Sequence, residues 1–540
     1  MQATNKFAAR LAQGVASVLA LLGTANLADA AVPGITGDLN STTPAFSLVA
    51  AAGNTTQPDG ATIYSWGYGC SGAPAGFAPD AITGVCADGQ MQLPGPTLIV
   101  HQGDTVSVTL TNKLPAAAGS TSILFPGFKV SATGGVAGLL TQEALPAGSV
   151  TYTFTADTAG THSYYSGTQG DLQVEMGLYG ALIVLPKTTD HSSACANPNM
   201  RAAQVADRGS GVPADYRLAS AAYDQASACY DREYLMQTSE IDPRIHEQAQ
   251  AQSALPCTNP TGCMAVDTEP YHAAYFLLNG RSMPDDMDPN YAPQYPLQPY
   301  NANPHMHPGE VTLIRIIGQG RMQHPFHEHA NHLRILARDG HLLTNAAAGN
   351  APETGNLSGP LLFTTTTSPG QTIDGLFIYT GKNLNWDIYG HTSDTPVANT
   401  MEGGGGAVCT PDLNGYYTSN PTAPNYYEWC ADHKKPLESK PFGNVGSGGP
   451  VTLPDPNILA NGPWYGGSPY MGPDATARAA GPTPIPPFGT VGNDPGAEAG
   501  FAFMWHSHNE REITTNNIFP GGLMAMMLVD PWVYLIDESK

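Results

Sequence analysis

The stretch "PTLIVHQGDTVSVTLTNKL" (Pro96 to Leu114) alternates apolar and polar residues on both sides of a Gln-Gly-Asp turn. Successive side chains of a strand point to opposite faces, so a period of two specifies a sheet with one face buried. "SVTYTFTADTAGTHSYY" (Ser149 to Tyr165) and "YGALIVLP" (Tyr179 to Pro186) repeat the pattern between Gly, Asp and Pro turns. A second set of strand-like runs follows a polar stretch: "REYLMQTSEID", "AYFLLNGRSMPD", "GEVTLIRIIGQG", "HLRILARDGHLL", "QTIDGLFIYTG", "FAFMWHSH" and "LMAMMLVDP". Neither half carries a long amphipathic helical pattern, which argues against an α/β enzyme fold. The expected fold is all-β, with two Greek-key sandwiches, and the chain is long enough for both: 540 residues, 41% of them hydrophobic.

The first sandwich is expected over 31–190 and the second over 231–540, with a linker at 191–230. Between 401 and 500 the second sandwich is interrupted by "EGGGG", "GSGGP" and "GPTPIPPFG". A loop that long is uncommon in a compact domain and marks a functional cover or a decoration. Residues 1–30 read as a secretory signal: Lys6 and Arg10, an apolar run from Val15 to Leu22, and a small-residue cleavage site at Ala28-Asp29-Ala30. No later run reaches the roughly 18 apolar residues of a membrane span, so a periplasmic or secreted protein is expected. The formal net charge of -23 disfavours nucleic acid and anionic membranes as partners. Eight cysteines suit an exported chain, and four local disulfides in sequence order are expected: Cys70–Cys86, Cys195–Cys229, Cys257–Cys263 and Cys409–Cys430.

"HPFHEHANH" supplies His324, His327, His329 and His332 within nine residues, and "HSH" supplies His506 and His508. On a strand His327 and His329 share a face while Glu328 points away; His506 and His508 share a face while Ser507 points away. If the two strands pair, four imidazoles converge, a donor set suited to copper, zinc, iron or nickel. His305 and His307 form a third pair in a Pro-flanked loop, where solvent exposure is the simpler reading. His332, His101, His162 and His391 are scattered and are read as packing or hydrogen-bonding residues. Glu328, Glu510 and Glu512 are carboxylates available to tune or supplement the histidine site.

These segments resemble the multicopper oxidase family of cupredoxin domains. "PGPTLIVHQGDTVSVTLTNKLP" is similar to the family's opening signature, "GLYGALIVLP" to the end of its first domain, "HPFHEH" to its His-Pro-X-His-X-His motif, and "HSH…GGLM" to its final His-Cys-His and Met. The resemblance implies two cupredoxin-like domains and copper as cofactor. Position by position, it makes His327 a type 2 ligand, His329, His506 and His508 type 3 ligands, and His324 a type 1 ligand. Two-domain members are often trimers, which leaves a homotrimer open.

The departures are large. Ser507 stands where the family has the type 1 Cys, and no histidine follows His508; Glu512 falls at the usual offset, and Met524 is the candidate axial Met. A serine hydroxyl does not reproduce a copper–thiolate bond, so no type 1 centre is expected. In the first half Leu124-Phe125-Pro126-Gly127 replaces His-Trp-His-Gly, and Tyr164-Tyr165-Ser166-Gly167 replaces Tyr-His-Ser-His, which removes the other half of a three-copper cluster.

The leading expectation is therefore an extracytoplasmic copper-binding protein with one residual site at His327, His329, His506 and His508. Redox chemistry on metal ions or small reductants is the activity such a site would support, and no catalytic residue is assigned. The alternative is a non-catalytic secreted metal-binding or structural protein with relic copper sites. A nitrite-reductase-like activity ranks last, because it needs a type 1 Cys.

Overall fold

The computed structural model describes residues 32–38, 41–78, 89–189, 219–306, 310–379 and 500–529, with the short pieces 86, 410–416, 418–419, 431, 467–470 and 536. The expected signal sequence and nearly all of the 401–500 insertion lie outside the described residues, as do His307 and His391.

Two β-sandwiches account for most of the described chain. In the first, one sheet runs Gly160–Tyr165, Tyr179–Leu185, Leu98–His101, Gly34–Thr36, Gly76–Ala78. The facing sheet runs Thr62–Cys70, Ala45–Thr56, Thr105–Asn112, Ser149–Thr155, Ser131–Gly134. Val106, Val108 and Leu110 alternate into the core with Val150, Tyr152 and Phe154, as the period of two requires. Tyr179–Leu185 is buried along its whole length for a different reason. Leu182 and Val184 face the first core, whereas Ala181, Ile183 and Leu185 pack with Leu235 and Ile317 of the second sandwich.

The second sandwich pairs a seven-stranded sheet with a six-stranded one. The first runs Tyr275–Leu278, Arg232–Ile241, Val311–Gly318, Thr372–Ile378, Leu333–Arg338, His341–Leu342, with Leu361–Leu362 on the Leu333–Arg338 strand. The other runs His305–Met306, Met524–Val529, Gly500–Ser507, His324–Glu328, Thr364–Thr367, with Gly467–Tyr470 on the Gly500–Ser507 strand. Between them lies a core of Met236, Ile314, Ile316, Phe326, Ile335, Phe377, Trp505 and Met527.

The seven-stranded sheet faces the first sandwich, and their contact is polar as well as apolar. Arg315, 1% exposed, donates to Glu233 at 3.0 Å and to Thr161 at 3.1 Å. Asp374 accepts from Thr161 and from Tyr223, and Ser163 and Tyr179 donate across to Gln319 and Ser239. Every residue of Arg232–Ile241 is buried, so its charges must be paired: Arg232 with Glu310 at 2.6 Å, Glu233 with Arg315, Glu240 with His324.

Two features depart from a bead-on-a-string arrangement. The described end of the expected linker, 219–230, is packed: Ala222, Tyr223, Ala228 and Tyr230 lie against Leu313 and Leu336. The helix Pro243–Gln252, capped by Asp242 and opened by Pro243, comes from the second half but buries Ile245 and Ala249 in the first core. Two of the expected disulfides are present, Cys70–Cys86 and Cys257–Cys263. Cys229 is also disulfide-bonded, while Cys195, Cys409 and Cys430 lie outside the described residues.

Candidate metal centre

The strands His324–Glu328 and Gly500–Ser507 pair antiparallel, and their register sets His327 directly opposite His506. Phe326 and Trp505 point into the core, so His327 and His506 are on the outer face of the six-stranded sheet, away from the sheet that meets the first sandwich. His329 follows just past the strand end, where Ala330 turns the chain with φ 81°, a left-handed conformation uncommon outside glycine. The indole of Trp505 donates to the His329 carbonyl at 3.1 Å and fixes that peptide from the core side.

His327, His329 and His506 are buried, and each offers a nitrogen within 4.8 Å of the other two. The Nε2 atoms of His329 and His506 are 3.2 Å apart. Two nitrogens bound to one ion at about 2.0–2.1 Å each are separated by about 3 Å, so the spacing fits a shared first-row metal. His508 brings a fourth ring, 4.8 Å from His327 between centroids, with its side chain 47% exposed.

Two of the rings are oriented by their neighbours. Nδ1 of His506 lies 2.7 Å from the carbonyl oxygen of Ser507. A carbonyl only accepts, so Nδ1 carries the proton and Nε2 presents its lone pair to the cluster. Nδ1 of His327 is 2.7 Å from the Thr364 hydroxyl. Burial, then the neighbouring His506 and His508, push the His327 imidazole down to about 4, and burial pushes His506 down as well. Both are therefore neutral near pH 7, the protonation state a ligand requires. His327, His329 and His508 border a cavity of about 430 Å³. Its lining includes His327, Glu328, His329, His332, Phe363 and His508. Burial pushes Glu328 up to about 8, and its Oε1 accepts from Thr365. His332, read from the sequence as a bystander, stacks edge-on against Phe363 at the cavity wall.

His324 is not part of this cluster. It faces the sandwich interior, 0% exposed, with Nε2 2.8 Å from Glu240 and Nδ1 2.7 Å from Glu512. Burial alone would push the imidazolium down; the hydrogen bonds to the two carboxylates outweigh it and hold the ring up at about 9. Ser507 donates its hydroxyl to the same Glu512 oxygen at 2.5 Å, and Asn509 donates to the other at 2.8 Å. Glu240 is further held by the backbone N–H groups of Arg321 and Met322. Where the family resemblance implies a type 1 copper with His324 as ligand, both ring nitrogens are taken by carboxylates. The residues present do not fit that centre. The sequence reading missed Glu240, which shares its strand with Arg232 and Glu233 and is not set apart by any local signal. Glu510 is exposed, 3.9 Å from His508, and Met524 is buried in the strand next to His506.

In the first sandwich Leu124, Pro126, Tyr165 and Gly167 stand where the resemblance implies histidines, beside an aromatic cluster in the core. Phe125 stacks on Phe154 at 4.7 Å and on Tyr164 at 5.9 Å, and Leu124 bridges to Tyr165.

Residues 83–189 match the family model described as Multicopper oxidase. Among curated proteins the chain is 38% identical over 97 residues to a copper-containing nitrite reductase of Pseudomonas chlororaphis, covering 18% of this chain and 25% of that one. It is 37% identical over 119 residues to the multicopper oxidase MCE of Talaromyces pinophilus, covering 22% and 18%. With an L-ascorbate oxidase of Brassica rapa subsp. pekinensis it shares 38% over 109 residues, covering 20% and 18%. The matched stretches thus span a quarter or less of those relatives' lengths. A solved multicopper oxidase, mgLAC, superposes with a TM-score of 0.43 at 15% identity, over 92% of this chain and 88% of that one. Over residues 83–189, then, the chain is similar to the multicopper oxidase family.

Proposed function

We propose that this is an extracytoplasmic copper-binding protein in which His327, His329, His506 and His508 hold a residual copper site. The observation that carries the reading is the 3.2 Å approach of the His329 and His506 Nε2 atoms, with His327 within 4.8 Å of both. The copper-dependent relatives and the imidazole donor set favour copper over the other metals such a cluster suits.

Bound copper would supply one-electron chemistry toward metal ions or small reductants. The chain's own residues do the rest. The Ser507 carbonyl holds His506 in the tautomer that presents Nε2, Thr364 orients His327, and the half-exposed His508 leaves the site approachable from the cavity. The filled type 1 position favours a second reading, a copper holder that does not turn over, because no thiolate is present to import electrons.

Equilibrium dialysis against copper separates these readings from a relic site. The wild-type protein is expected to retain copper stoichiometrically, and His327→Ala combined with His506→Ala to retain none while keeping its β-rich circular dichroism. Stoichiometric copper in that folded variant, or none in the wild type, would remove the metal reading. Oxygen uptake by the loaded protein with ferrous ion or a small phenol then tells a turning-over site from a holder.

A further inference from the structure

Four segments meet at His324. Glu240 comes from the strand Arg232–Ile241, His324 opens the His324–Glu328 strand, Ser507 ends the Gly500–Ser507 strand, and Glu512 lies in the short helical turn Glu510–Ile513. All four side chains are 2% exposed or less. The two strands so joined are the two that carry the metal-site histidines, and the clamp grips them on the face opposite those histidines.

We propose that Glu240, His324, Glu512 and Ser507 form a metal-free clamp that takes over the mechanical task of a copper centre, positioning His506 for the cluster on the other side of the strand. The inference rests on the reading that His506 is a ligand. Its logic is short. Nδ1–H of His506 donates to the carbonyl of Ser507 at 2.7 Å, so the tautomer and tilt of the ring depend on where the Ser507 peptide sits. That carbonyl belongs to the Ser507–His508 peptide, whose N–H donates to the Pro325 carbonyl at 2.8 Å; Ser507 itself is held by its hydroxyl on Glu512 and by its own N–H, which donates to the Leu523 carbonyl at 2.9 Å. Glu512 is in turn locked by His324, whose second nitrogen is anchored to Glu240. Tyr271 extends the assembly across the domain contact, donating to Glu175 of the first sandwich at 2.6 Å while its oxygen lies 3.4 Å from Glu240.

A carboxylate–imidazolium–carboxylate arrangement suits this task. Each of its hydrogen bonds is charge-assisted and directional, and both ring nitrogens have an acceptor, so the ring has one orientation. Ser507 is the residue that couples the clamp to the ligand strand. A cysteine there would be a poorer donor to Glu512, which gives the serine a positive role.

The test uses the full-length protein with ¹⁵N-labelled histidine. In the metal-free wild type the His506 ring is expected in the Nδ1-protonated tautomer, and in folded Ser507→Ala or His324→Gln protein as a mixture of tautomers. Copper affinity measured by chelator competition should fall about 10- to 100-fold in those variants. Ser507→Ala removes a single hydroxyl and carries the test if His324→Gln fails to fold. A folded Ser507→Ala protein with the wild-type His506 tautomer overturns the clamp. A tautomer shift in a protein whose wild type takes up no copper leaves the clamp standing and removes the metal reading instead.

Discussion

His324 is an imidazolium held between two buried carboxylates, and the sign of its effect on stability follows from that charge. Its folded-state pKa, about 9, lies above the ordinary 6.5, so its contribution is fully present below about pH 6.5 and is lost as the pH rises through about 9. Unfolding by urea should therefore show stability declining on the alkaline side. His324→Gln should lack that decline and be less stable near neutrality by about 3–5 kcal/mol, because it leaves Glu240 and Glu512 without their shared cation. His327 works in the opposite direction. Held down at about 4, it favours the folded state when neutral, and that contribution is lost as the pH falls from about 6.5 through about 4. A stability profile with no alkaline shoulder, or with the same shoulder in His324→Gln, would contradict the charge assigned to His324.

The strands His324–Glu328 and Gly500–Ser507 together make one two-faced element, and its use of both faces was partly legible in the sequence. Alternation alone separates His327 from Glu328 and His506 from Ser507, and the register places His327 against His506. The motif likeness assigned His324 to a copper. That assignment fails because its partners, Glu240 and Glu512, are 84 and 188 residues away and leave no local trace. Glu512 stood at the right offset, but only the fold shows it turned inward onto His324 and Ser507. The same geometry predicts that Ser507→Cys does not create a blue copper. His324 has no free nitrogen and Glu512 stands where a second histidine would be needed, so copper-loaded Ser507→Cys should lack an intense thiolate-to-copper band in the visible spectrum. Appearance of that band would mean that the clamp opens readily to metal.

At the scale of the molecule, two sandwiches were readable from period-two runs, but which sheet of the second meets the first was not. That choice is made by residues that look unremarkable in sequence: Arg315, Glu233 and Asp374 on one side, and Thr161 and Ser163 on the other. Arg315 is 1% exposed and central to this contact, so Arg315→Ala should destabilise the protein by about 3–5 kcal/mol in urea unfolding. A loss below about 1 kcal/mol would place the interface energy in the apolar residues around Ile183 and Ile317 instead. This packing also leaves the histidine cluster on the face turned away from the first sandwich, where Leu124, Pro126, Tyr165 and Gly167 stand at the positions for which the resemblance implies histidines. The proposed centre therefore draws on the second sandwich's own rings. Electron paramagnetic resonance of the copper-loaded wild-type protein tests that most directly. The predicted spectrum is a non-blue cupric signal with superhyperfine splitting from several imidazole nitrogens, lost on replacing His327 and His506 with alanine. A blue-copper signal with narrow hyperfine splitting, or a nitrogen pattern that survives those replacements, would contradict it.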